Sequence, residues 1–263
     1  MLNIDKYAYA SKLKHKDPIE KLIFALTILS VCLWAQSVSV SILILIMMTA
    51  ITVVKGKIPL KVFLKLMLIP MSFLILGVMT IAFEVAPDQE GFILSASVFS
   101  GYMGISKAGL TLATIIFFKA LGAVACLYYL SVNTPMVDLL SALKKLKCPK
   151  LMVELMSLIY RFIFVLMETA ETMFVAQNSR LGYDRLSSGY RSMGMLLSTL
   201  FIRSYKKSDE LYTALEARGY EGELDVLEEP FEKSLTGYIF IVVINVLLIT
   251  YTLLIRYYQG GIL

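Results

Sequence analysis

In five places along the chain, apolar residues run on for about the width of a membrane. They are roughly 19–34 ("IEKLIFALTILSVCLW"), 38–54 ("VSVSILILIMMTAITVV"), 62–83, 108–131 and 236–255. A membrane-spanning helix needs about 20 mostly apolar residues, so each run is predicted to be a span. Only "AQS" separates the first two, which makes them a tight antiparallel hairpin. Pro70 falls inside the third and is expected to kink it, because proline removes a helix hydrogen bond. The pattern changes between the fourth and fifth runs. Residues 132–235 are too many for a linker, yet they are not uniformly polar. "MVELMSLIYRFIFVLMETAETMFVAQNSRLG" predicts one long apolar helix over about 151–182, interrupted by Glu154, Arg161, Glu168 and Glu171. Those charges lie 7, 7 and 3 residues apart and fall close to one helical face. Such a helix suits the membrane interface or packing against other helices. A sixth span is the rival reading, and it would leave Arg161 needing a partner in the bilayer.

Composition agrees with the pattern. The chain has 263 residues, 58% apolar and 17% charged, with a mean hydropathy of +0.74. Soluble domains are nearer 45–50% apolar and about 25% charged. The expectation is an all-α integral membrane protein with about five transmembrane helices and a cytoplasmic helical region. It divides into 1–131 with four spans, 132–235, and 236–263 with the last span. The first apolar run lacks a small-residue cleavage site and is not expected to be a cleaved signal.

Positive charge orients the chain. Residues 1–21, the link before the third span, and 132–235 together carry twenty-two Lys and Arg, against two in the alternate segments. The N-terminus is therefore expected on the cytoplasmic side of the cell membrane and the C-terminus outside. Within 132–235 the charge then changes sign. Residues 144–207 hold eleven basic and four acidic residues, whereas 208–232 hold nine acidic residues and one basic, Arg218. A partner with complementary patches fits such an asymmetry, as does a solvated surface.

Little in the chain points to catalysis. There is no HExxH, Walker A loop, GxSxG or serine–histidine pair. Cys32, Cys126 and Cys148 are scattered, and the one histidine, His15, sits in a lysine-rich segment. No cofactor, metal site or disulfide is expected, and no basic segment interleaves aromatics as nucleic-acid binding would require. Lys119 is the one charge deep in a predicted span, and small residues follow it in "KALGAVAC". It suits snorkelling or a structural hydrogen bond more than ion coupling.

Two short stretches stand out. In "SDELYTALEARG", Ser208 can cap a helix of about ten residues. Leu211, Ala214, Leu215 and Arg218 then share one face, and Gly219 can take the left-handed conformation that ends it. "AETMFVAQNSRLG" also closes on an arginine with a glycine beyond. In both, an alanine lies four residues before the arginine: Ala176 to Arg180 and Ala214 to Arg218. Many helices end this way. A small residue beside a guanidinium at a helix tip is also a plausible docking element.

The pair "AQNSRLGY" and "ALEARGY" resembles the two Ala-Arg-Gly-type signatures of the transmembrane coupling subunit of energy-coupling-factor transporters. "DKYAYASKLKHKDPIEKL" and the stretch from Asn133 to Met173 are similar to the cobalt-type CbiQ family. The first signature departs from a strict Arg-Gly ending, with Leu181 between Arg180 and Gly182. The resemblance implies a non-catalytic subunit of an ATP-driven transporter. Two ATP-binding cassette ATPase subunits and a substrate-specific membrane subunit would be its partners, within membrane lipids. It implies that Ala176, Ser179, Arg180 and Gly182 serve one ATPase groove, and Ala214, Ala217, Arg218 and Gly219 the other. It points to cobalt as the transported ion, with nickel close behind. A self-contained secondary carrier or channel is the alternative.

Overall fold

The computed structural model describes residues 3–86, 92–98, 101–220, 231 and 235–258. The chain forms two compact units. One comprises Leu2–Pro135 with Pro230–Leu263, and the other runs from Met136 to Glu229.

The first unit holds the predicted spans. Helix α1 (Asn3–Ala10) and a 3-10 turn (Lys12–His15) lead into α2 (Pro18–Trp34), which Asp17 caps by accepting the Ile19 amide at 3.0 Å. Helix α3 (Val38–Ala50) continues into a π-helical turn (Ile51–Lys55). Helix α4 (Leu60–Ala82) runs on through Pro70, and α5 (Lys107–Asn133) and α9 (Leu235–Tyr258) complete the set. Four helical stretches are long and apolar enough to cross a membrane: Val38–Lys55, Leu60–Ala82, Lys107–Asn133 and Leu235–Tyr258. Helix α2 has 17 residues, at the short end of the range for a span, and opens with Glu20 and Lys21. The protein is a helical, multi-pass membrane protein. The apolar runs did not signal a small antiparallel sheet between α4 and α5. It is built from β1 (Phe83–Ala86), β2 (Phe92–Val98) and β3 (Gly101–Ser106), in the order β1-β3-β2.

Helix α5 packs against α2, α3 and α4. Its small residues allow the approach. A Cβ at Gly122 would stand 3.0 Å from Cys32 Sγ and 3.2 Å from the Ser41 carbonyl oxygen. Ala113, Ala125 and Cys126 are fully or almost fully buried. The core gathers Phe24, Ile28 and Cys32 of α2, Val40, Ile44 and Met48 of α3, Phe63 of α4, Tyr129 of α5, and Ile241 and Leu248 of α9. Lys119 is half-buried midway along α5, with no ion pair among the described residues. At one end of this bundle the buried Lys21 ammonium donates to the carbonyls of Leu13 (3.1 Å) and Asn133 (3.2 Å). Ser11 Oγ donates to Asn133 Oδ1 at 2.8 Å, so the N-terminal segment is tied to the end of α5.

Among the described residues the second unit is three helices: α6 (Met136–Lys145), α7 (Lys150–Ser179) and α8 (Leu186–Glu216). The long apolar helix is present as α7, at 30 residues or roughly 45 Å. The short helix expected over 208–219 is not a separate element. Ser208 lies inside α8, which runs 31 residues, so it caps nothing. Ser-Asp-Glu imitates a helix start, but the preceding "LFIRSYKK" already favours helix and nothing breaks the ladder between them.

Candidate functional site

The two arginine-bearing stretches occupy the C-terminal ends of α7 and α8. At the first, the Gly182 amide donates to the Gln177 carbonyl at 2.8 Å and the Leu181 amide to that of Asn178 at 3.0 Å. At the second, the Tyr220 amide donates to the Leu215 carbonyl at 3.0 Å and the Gly219 amide to that of Glu216 at 3.0 Å. This is one pattern twice: a 6→1 bond enclosing a 5→2 bond, the Schellman ending. Aligned on it, Arg180 and Arg218 take the same position, as do Ser179 and Ala217, and Ala176 and Ala214. The glycines do not align. The left-handed residue is Gly219 at the second end (φ 73°) but Leu181 at the first (φ 58°). Gly182 is needed there for a different reason. A Cβ on it would come within 2.7 Å of Ser192 Oγ and 2.8 Å of the Gln177 carbonyl oxygen.

Side chains brace both ends. At the corner between α7 and α8, Gln177 Nε2 donates to the Ser192 carbonyl (3.0 Å), and the Tyr183 hydroxyl donates to Gln177 Oε1 (2.7 Å). Ser192 Oγ donates to the Gly182 carbonyl at 2.9 Å, and the Phe174 and Tyr183 rings lie 4.8 Å apart. At the end of α8, the Tyr220 hydroxyl donates to Glu154 Oε2 at 3.1 Å, back on α7. The sequence did not single out Gln177, Ser192, Tyr183 or Glu154 for these roles. Only the folded hairpin brings partners 15 and 66 residues apart together.

The arginines themselves are left out of this bracing. Arg180 and Arg218 are exposed and have no hydrogen bond or ion pair from their side chains among the described residues. Ala176, Ser179, Ala214, Ala217 and Gly219 are exposed beside them, so each guanidinium stands on a surface of small side chains. A planar guanidinium with five donors on a fixed backbone has the chemistry to pair with carboxylates or carbonyls. Leu211 and Leu215 are half-buried, whereas Leu186, Tyr190, Phe201 and Tyr205 line one face of α8 and are 86%, 81%, 72% and 72% exposed. Exposed apolar stripes of that length are common at interaction surfaces. Residues 221–230, which carry most of the acidic run, lie outside the described residues. Among the described residues, no three His, Cys, Asp or Glu side chains come together as metal ligands would.

Comparison with known proteins adds a family. Residues 10–228 match the family described as cobalt transport protein, CbiQ. The chain is 35% identical to an uncharacterized protein of Methanocaldococcus jannaschii, over 94% of this chain and 91% of that one. It is 31% identical to the cobalt transport protein CbiQ of Salmonella typhimurium, over 85% of this chain and 99% of the other. It is 30% identical to the energy-coupling factor transporter transmembrane protein EcfT of Exiguobacterium sibiricum, over 95% and 96%.

Proposed function

This chain belongs to the CbiQ family of cobalt transport proteins, and we propose that it is the transmembrane coupling subunit of an energy-coupling-factor transporter. In this reading it binds no nucleotide and no substrate. Two ATP-binding cassette ATPases each receive one helix end, Arg180 in one groove and Arg218 in the other. Their closure on ATP moves α7 and α8, and the exposed stripe on α8 passes that motion to a substrate-specific membrane subunit. The transported ion is a divalent transition metal, cobalt first, recognised by that other subunit.

The observation that carries the reading is the repeated helix ending. Two matching hydrogen-bond closures each present an arginine whose side chain has no partner among the described residues, which suits two copies of one receptor groove. A small residue one turn before each arginine lets a groove wall come close. A fork-shaped cation then supplies paired hydrogen bonds that lysine cannot reproduce.

Co-purification tests it. A tagged chain expressed with its transporter partners is expected to bring down an ATP-binding cassette ATPase and a second membrane protein. Arg180→Glu combined with Arg218→Glu should release the ATPases, since like charges in a groove cost several kcal/mol, and should abolish uptake while the membrane protein stays bound. Full ATPase retention by the double variant would falsify the docking roles. Substrate flux through the chain alone in liposomes would replace the reading with a self-contained carrier.

A further inference from the structure

A second site lies in the first unit. The start of α2, the π-helical turn after α3, the last turns of α5 and the start of α9 enclose a cavity of about 220 Å³. That is room for roughly seven waters. Its polar lining comes from Lys16, Glu20, Lys21, Lys55, Tyr129 and Thr236. Its apolar lining is Phe24, Ile51, Phe240 and Ile241 among others. Three lysines against one carboxylate leave the cleft cationic.

The carboxylate is already engaged. Glu20 lies 3.8 Å from Lys16 Nζ and is packed onto Gly237 so closely that any Cβ there would overlap it. This seats its negative charge on the first turn of α9, the positive end of that helix dipole. Lys21 is built into the wall by its two carbonyl acceptors. The cations placed to meet a ligand are Lys16, half exposed and in a long ion pair with Glu20, and Lys55. The π-helical turn ends on Lys55, whose ammonium stands 4.4 Å from the centre of the Phe240 ring. It has no acidic partner among the described residues. Tyr129 is 5% exposed, and its hydroxyl has no hydrogen-bond partner among the described residues. Two ammonium groups with a buried tyrosine lining the same cleft suit an anion.

The anion's source follows from position. The cleft lies where α2 and α9 begin and where α3 and α5 end, the end of the bundle that carries most of the first unit's positive charge. From it, Phe240, Val243 and Leu247 continue along one exposed apolar face of α9. A soluble anion has no use for such a track, whereas an acyl chain does. Basic pockets between transmembrane helices at a membrane surface bind anionic lipid headgroups. We propose that this cleft binds an anionic phospholipid, its phosphate between Lys16, Lys55 and Tyr129 and an acyl chain along α9. The site is independent of which partners the chain assembles with.

Native mass spectrometry of the full chain in detergent tests it, with dioleoyl phosphatidylglycerol and dioleoyl phosphatidylcholine as probes. The wild type should retain phosphatidylglycerol in preference to phosphatidylcholine. Lys16→Gln with Lys55→Gln should lower that occupancy by about tenfold or more. Lys61→Gln with Lys65→Gln removes the same charge from exposed positions at the start of α4, outside the cleft, and should leave occupancy unchanged. An equal loss from both pairs, or equal retention of the two lipids by the wild type, overturns the site. Displacement of phosphatidylglycerol by millimolar inorganic phosphate overturns the lipid as its ligand.

Discussion

Leu181 and Gly219 do the same backbone work at different cost. A left-handed residue with a Cβ is disfavoured by roughly 1–2 kcal/mol, and glycine escapes this. Leu181 carries that strain at φ 58° while the residue is 71% exposed, so its own packing does not offset it. The neighbouring glycine cannot relieve it, because Gly182 is held against Ser192 and the Gln177 carbonyl. Leu181→Gly should therefore raise the chain's thermal stability by about 1 kcal/mol. Gly182→Ala should lower it by about 1–3 kcal/mol, through overpacking onto backbone that cannot move aside. Thermal unfolding of both variants in detergent checks the pair. Stability changes of the same sign would refute the division of labour. An exposed leucine kept in a strained position at a helix tip also fits a residue that meets a partner, as strain of this kind clusters at functional sites.

At the scale of elements, α8 is a single helix from Leu186 to Glu216, so Arg218 ends a long rod rather than a short docking helix. Ser208 reports on this. As an N-cap its loss would cost about 1 kcal/mol, whereas in a helix interior alanine is better than serine by a few tenths. Ser208→Ala should thus leave stability equal or slightly higher, and a clear loss would restore the short helix. The apolar runs were legible because lipid imposes length and composition on a span. They placed α3, α4, α5 and α9 within a few residues, and the long helix α7 likewise. Arginine register was legible too, since the alanine–arginine spacing survives in both endings. The glycine register was not, because the backbone at Leu181 departs from the residue preference that usually reveals it. The small sheet and the π-helical turn at Ile51–Lys55 escaped for a related reason. Each depends on hydrogen-bond register, which apolar patterning does not encode. The cationic cleft draws on residues from Leu13 to Ile241, so no local pattern could show it.

Across the whole molecule, the two units differ in how they are stabilised. The first buries a continuous core shared by α2, α3, α4, α5 and α9. In the second, only Asp138, Leu140, Ala142, Val153, Ser192 and Leu196 are buried among the described residues. A unit with so little interior of its own, and with a long exposed apolar stripe, suits the docking role proposed for it. Which partners can reach it depends on the side of the membrane it occupies. From the excess of Lys and Arg in residues 132–235 we propose that it lies in the cytoplasm, the side on which the proposed ATPases would work. Cysteine labelling tests that placement. Cys32 and Cys126 are buried, so a Cys148→Ser background carrying Tyr212→Cys presents one exposed thiol on α8 near Arg218. In intact cells, an impermeant maleimide should leave that thiol unmodified, and in inverted vesicles it should react fully. Reaction in intact cells would turn the molecule over and remove the ATPases from reach of both arginines.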